Sequence, residues 1–223
     1  MDEGFGTLDE KLKEFADSLP AGGEPYPFEW VRGNRNEGFK SSSQVNYVAR
    51  CGNFREKGYE YTGALRILKV MLSYDYLWIN IRVKGGAYGC MSGFGRSGEG
   101  YLVSYRDPNL RETNAVYEGV TDYLRNFQAY ERDMTKFVIG TISDLDTPLT
   151  PSIRGSRGLS AYLSGVTQEM MQKERDQVLS ATVEDIRALA DIVQAILDTG
   201  AFCVVGNEDR IEGAKDLFKE TKN

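Results

Sequence analysis

Residues 60–80 constrain the fold of this chain more than any other stretch. Leu65, Leu68, Leu72, Tyr76 and Ile79 recur at helical spacing, and Ile67, Val70, Met71, Tyr74, Leu77 and Trp78 widen the apolar face almost all round. A helix that is apolar on nearly every side is a buried central one. The remaining chain must therefore supply layers that cover it. Gly85-Gly86 lies just beyond and breaks or caps it.

The flanking segments supply those layers. Before the helix, residues 26–51 look extended: Phe28 and Trp30 alternate with Glu29 and Val31, and Val45, Tyr47 and Ala49 alternate with Gln44, Asn46 and Val48. After it, residues 87–96 and 101–106 read as the strands of a hairpin around Ser97-Gly-Glu-Gly100, with Tyr101, Val103 and Tyr105 on one face. Val116, Val120, Tyr123, Leu124 and Phe127 mark a helix, and Phe137, Ile139, Ile142 and Leu145 mark another. Thr147-Pro-Leu-Thr-Pro151 is a break, followed by expected helices over 153–164 and 168–179. Thr182 caps a strong helix with Glu184 and Asp185 in its first turn and Val183, Ile186, Leu189, Ala190 and Val193 along its face. Residues 200–206 read as a short buried strand, and Asn207 caps a last helix carrying Ile211, Ala214, Leu217 and Phe218.

Strands and helices do not alternate strictly in this order. The pattern predicts an α+β fold with a mostly antiparallel sheet covered by helices on one face. Residues 1–24 read as a lead-in helix and linker, with Leu8, Leu12, Phe15 and Leu19 on one stripe, a capping-box signal in Thr7 and Glu10, and a stop at Pro20-Ala-Gly-Gly. Residues 25–223 form the main domain.

Composition excludes several chemistries. None of the 223 residues is a histidine, so the chain can build neither a Ser-His-Asp or Cys-His nucleophile nor a His-Glu-x-x-His zinc site. Cys51, Cys90 and Cys203 are far apart and form no Cys-x-x-Cys motif; they read as reduced thiols packed as small hydrophobes, which suits a reducing, cytoplasmic compartment. The N-terminus lacks a basic-then-apolar leader, and no run approaches the ~20 apolar residues of a membrane span. With 27 basic against 33 acidic side chains the net charge is −6, which argues against a nucleic-acid or anionic-membrane partner.

Two motifs have bland readings. Gly93-Phe-Gly95-Arg-Ser-Gly98 matches Gly-x-Gly-x-x-Gly but leads into a strand rather than a helix, so it reads as a glycine-rich hairpin and no nucleotide cofactor is expected. Asp144 and Asp146 flank a proline-bounded loop and fall short of a calcium ligand set; an exposed turn is expected. The stretch Ile81-Arg82-Val83-Lys84-Gly85-Gly86-Ala87-Tyr88-Gly89 is richer. Arg82 and Tyr88 can converge as two donors on one carbonyl or oxyanion. Equally, Arg82 can cap helix carbonyls while Tyr88 packs.

This stretch resembles the Arg…Gly-Gly-Ala-Tyr-Gly element of the pitrilysin/insulinase superfamily of zinc metallopeptidases, in particular its presequence-protease and falcilysin-like branch. Val45-Asn-Tyr-Val48, Cys51-Gly-Asn53 and Ser104-Tyr-Arg-Asp-Pro-Asn109 agree, and the resemblance spans roughly Glu24 to the C-terminus. It implies a pitrilysin-type C-terminal domain without the zinc motif. Such a domain faces, across an enclosed chamber, a zinc held by companion N-terminal catalytic domains of the same polypeptide. It further implies that Arg82 and Tyr88 grip the peptide substrate and support the tetrahedral intermediate, that Gly85 and Gly86 leave room for the peptide, and that the chain alone is inactive. An excised domain, with Met1 an added start, is the leading expectation. A naturally separate inactive subunit paired with a catalytic chain, and a stand-alone binding or scaffold domain, are the alternatives.

Overall fold

The computed structural model describes residues 6–20, 22–23, 27, 29 and 36–223; Phe28, Trp30 and Val31 lie outside them. In chain order the first elements are α1 (Leu8–Ser18), β1 (Glu37–Ser41), β2 (Asn46–Asn53) and α2 (Ala64–Met71). α2 runs on through two π-helical stretches, Leu72–Tyr76 and Trp78–Lys84. Next come β3 (Gly89–Phe94), β4 (Glu99–Asp107), α3 (Arg111–Glu118), α4 (Val120–Arg125), α5 (Glu131–Leu145), α6 (Pro151–Leu163), α7 (Gln168–Leu179) and α8 (Val183–Asp198). β5 (Ala201–Asn207), α9 (Glu208–Gly213) and β6 (Glu220–Lys222) close the chain.

Contacts divide the described residues into two units. Those before position 34 group with Pro148–Ser164, and the remainder form the second. In the first unit, α1 and α6 contain no buried residue. Thr7 stands at the N-cap of α1, but its side chain makes no capping bond and its backbone (φ −101°, ψ 8°) is not extended, so the expected capping box does not form. Thr150 does cap α6, accepting from the Ile153 amide, with Pro151 in the first turn.

The second unit is a six-stranded sheet in the order β3-β4-β2-β5-β1-β6. The pairs β3/β4, β4/β2 and β2/β5 are antiparallel, and β5/β1 and β1/β6 are parallel. One face is covered by helices. Val48, Leu102, Phe202 and Val204 point into the core against Leu65, Leu68 and the α8 stripe of Ile186, Leu189, Val193 and Ile196. Thr182 and Asp185 form a complete capping box at the start of α8. The other face carries Tyr47, Ala49, Met91, Val103, Tyr105, Cys203 and Val205, which line a shallow concavity of about 440 Å³.

Four further expectations are corrected. The long helix is not buried all round: Tyr74, Trp78, Ile79 and Val83 are exposed. Its buried face includes Leu65, Leu68, Leu72, Leu77 and Ile81. In a regular α-helix Ile81 would stand about 900° from Leu72, half a turn off the buried face. The π turns add a residue to each turn and bring Ile81 back to the core. Second, residues 200–206 form a half-exposed strand rather than a buried one, because β5 shows Cys203 and Val205 on the uncovered face. Third, Cys51 and Cys203 are exposed on that face and only Cys90 packs against the core. Fourth, the last helix is short: α9 ends at Gly213, a 3-10 turn follows over Lys215–Leu217, and β6 adds an unforeseen edge strand.

Candidate functional site

The end of the long helix and the start of β3 bring Arg82 and Tyr88 together. Gly86, at φ 78°, makes the reversal, a conformation that favours glycine. Its amide donates to the Arg82 carbonyl (3.0 Å) and the Ala87 amide to the Ile81 carbonyl (3.1 Å), closing the helix end. A side chain on Gly86 would meet only Pro108, at 3.8 Å, so the backbone here is open to solvent. Gly85 differs. A Cβ there would lie 2.6 Å from the Ile81 carbonyl oxygen, so close packing of the helix end explains this glycine. The Asn109 side-chain amide donates to its carbonyl at 2.6 Å.

Arg82 turns back over this reversal. Its Nη1 donates to the carbonyls of Ala87 (3.4 Å) and Tyr88. The guanidinium lies 4.8 Å from the Trp78 ring centroid and 5.6 Å from that of Tyr88, within cation–π reach of both. These carbonyls follow the helix, so Arg82 does not cap the helix's own last turn. Tyr88 is 58% exposed and its ring meets that of Tyr105 at 5.7 Å. Tyr105 in turn lies across Gly89, where a Cβ would come within 2.5 Å of its ring, and lines the concavity on the uncovered sheet face. The Arg82–Tyr88 pair thus stands at the rim of that apolar surface.

A buried polar network supports the rim. Asp107 is fully buried and accepts from Ser104 Oγ (2.7 Å), Thr113 Oγ1 (2.8 Å) and the Asn109 amide (2.9 Å). Burial, reinforced by Asp107, pushes the Cys90 thiol up to about 11, with Arg82 pulling the other way. Trp78 and Asn109 are site residues that the sequence analysis did not single out. Trp78 sits four residues before Arg82 on the same helix, a spacing that could have flagged it.

Elsewhere, Asp146 forms a two-pronged pair with Arg175 (2.5 and 2.7 Å) at an exposed turn. The Gly93–Gly98 segment is the β3–β4 hairpin turn. Among the described residues no group of three or more Cys, Asp or Glu could hold a metal ion, and no helix is long and apolar enough to cross a membrane.

The sheet with helices on one face is a fold shared with solved peptidase M16 domains. The inactive peptidase M16 domain from Pseudomonas fluorescens superposes with a TM-score of 0.61 at 17% identity over 92% of this chain and 50% of that one. Pitrilysin does so with a TM-score of 0.58 at 15% identity over 89% and 22%. Residues 36–207 match the family described as the PreP C-terminal domain, and the chain belongs to that family. The protein HypA of Clostridium perfringens is 46% identical over 200 residues, covering 90% of this chain and 20% of that protein. Presequence protease 1, chloroplastic/mitochondrial, of Arabidopsis thaliana is 36% identical over 183 residues, covering 82% and 17%. The chain therefore spans about a fifth of the length of these relatives.

Proposed function

We propose that this chain serves as the non-catalytic C-terminal domain of a zinc metalloendopeptidase acting on unstructured peptides. In this reading it helps close the chamber, and Arg82 and Tyr88 bind the peptide backbone and support the tetrahedral intermediate. The observation that carries it is the shared placement of the two groups at the helix end, with 5.6 Å between the half-buried Arg82 guanidinium and the exposed Tyr88 ring and no carboxylate partner for Arg82 among the described residues. The relatives named presequence proteases support the peptide class.

The chain's own residues do not fit a zinc site, since it has no histidine and the described residues hold no ligand cluster. In this reading a companion half, in the same polypeptide or in a partner subunit, would hold the zinc, which would supply the activated water there. On this side, Arg82 holds the substrate carbonyl with a permanent positive charge and Tyr88 offers a neutral hydroxyl. Donors aimed at the oxygen where charge develops strengthen in the transition state. The rings of Trp78 and Tyr88 flank the guanidinium and steady it. Gly86 leaves the backbone bare where a peptide approaches.

The test is Arg82→Ala and Tyr88→Phe in the complete peptidase. Each should lower kcat by roughly 10²–10³-fold if it supports the oxyanion. An unchanged kcat with an intact fold would return the residue to packing. The isolated chain should show no zinc-dependent hydrolysis, and measurable turnover by it would contradict the reading.

A further inference from the structure

Arg106 is a non-glycine described residue with a positive φ, 48°, in the left-handed region. It sits in a β-bulge. On β2, Asn46 pairs with Asp107 and Val48 with Ser104, so β4 fits one more residue than β2 between these two pairs. Such a left-handed bulge position is one that glycine fills without strain. Here it holds an exposed arginine whose guanidinium lies 5.4 Å from the Tyr88 ring centroid.

The bulge is held on both sides. The buried Asp107 side chain, with its three donors, anchors the residue that follows. The Tyr88 amide donates to the Arg106 carbonyl at 3.2 Å. The extra residue restores the inward alternation at Asp107 and turns Arg106 outward, toward Tyr88. Neither Arg82 nor Arg106 has a carboxylate partner among the described residues. One phenol ring is therefore in contact with two guanidiniums, each attracted to its π-system. A strained backbone that glycine would relieve is retained where its side chain reaches the ring of a proposed oxyanion donor.

We propose that Arg106 is a positioning residue for Tyr88: with Arg82 it fixes the ring and so aims the phenol hydroxyl at the substrate oxygen. This inference rests on the role given above to Tyr88. It assigns Arg106 no contact with substrate, and its effect runs through the hydroxyl alone.

The experiment compares Arg106→Gly, Arg106→Lys and Tyr88→Phe, singly and combined, in the complete peptidase. Glycine keeps the left-handed bulge and removes the cation, so Arg106→Gly should match or exceed the parent in melting temperature. Its kcat should fall roughly tenfold with KM within about twofold, as expected for a misaimed group. Arg106→Lys should recover part of that loss. In the Tyr88→Phe background, Arg106→Gly should add less than about twofold, because the hydroxyl it aims is gone. An unchanged kcat in Arg106→Gly, or an equal loss in both backgrounds, would overturn the inference while leaving the Tyr88 reading intact. A Tyr88→Phe enzyme with unchanged kcat would remove both.

Discussion

Glu174 offers the sharpest test of how this domain is held together. It lies on α7 with only 3% of its surface exposed. It accepts from Arg66 Nε on the long helix, Arg96 Nη2 at the hairpin tip and the Tyr61 hydroxyl at 3.2 Å. Glu174→Gln keeps the shape and removes the charge, leaving two guanidiniums facing a neutral amide. Breaking a buried ion pair costs about 3–5 kcal/mol when the surviving charge is stranded. Here the Arg66 and Arg96 side chains are 41% and 26% exposed, so water recovers part of their solvation. Screening of such partly exposed charges reduces the loss to about 2–3 kcal/mol. For a chain of this size that corresponds to a fall in melting temperature of roughly 5–10 °C. Thermal and urea unfolding followed by circular dichroism measure both quantities. The loss should barely change in 0.5 M salt, since the carboxylate is out of reach of counterions. A combined Arg66→Met, Arg96→Met, Glu174→Leu variant strands no charge and should be more stable than Glu174→Gln alone. A shift below about 1 °C in Glu174→Gln, or a triple variant less stable than the single one, would refute this account.

Three further outcomes follow from the geometry. The Cys90 thiol is held up to about 11 by burial, so the folded state keeps its proton longer than the unfolded chain does. Its contribution to stability is complete below about pH 9 and is lost as pH rises toward 11; Cys90→Ala should flatten the fall in unfolding midpoint over that window, and an unaltered slope would count against the assignment. Gly52→Ala would place a Cβ 2.3 Å from the Ile196 carbonyl oxygen and 2.5 Å from Thr199 Oγ1, forcing β2 from α8. Urea unfolding should show a loss of about 1–3 kcal/mol, and an unchanged midpoint would mean that the strand and helix separate freely. Thr182→Ala removes the hydroxyl that accepts from the Asp185 amide while leaving the Asp185 carboxylate on the residue-182 backbone N–H, and should cost about 1 kcal/mol in the same assay, with Thr182→Ser largely restoring it.

Much of the architecture was legible because local periodicity and burial agree in it. The α8 stripe, the Thr182 cap, the β3–β4 hairpin and the break at Pro148 and Pro151 all follow from short-range patterns that packing reinforces. The misses arose where a non-local choice prevailed. A period of 3.6 cannot anticipate π turns, so it places Trp78 and Ile79 inward, whereas the extra residue per turn faces them to solvent. β5 reads as continuously apolar, yet one of its faces is uncovered, and no pattern within seven residues records what lies opposite. At the site, Arg82 and Tyr88 stand out through the family resemblance of the short stretch they share. Arg106 escaped because a bulge depends on the register between β2 and β4, which joins residues some sixty positions apart.

The widened turns of the long helix mean that its pitch between Leu72 and Lys84 governs the site as firmly as the identity of its residues. Each residue advances a regular helix by about 100°. Returning one widened turn to ordinary pitch with every residue kept would rotate Arg82 by roughly that angle, away from Tyr88, with both side chains still encoded. Losing one position from Leu72–Tyr76 at the same time would cancel the rotation and leave Arg82 on nearly its present face. Pitch and length taken together are accordingly the property to check first when asking whether a similar domain can bring the two groups together.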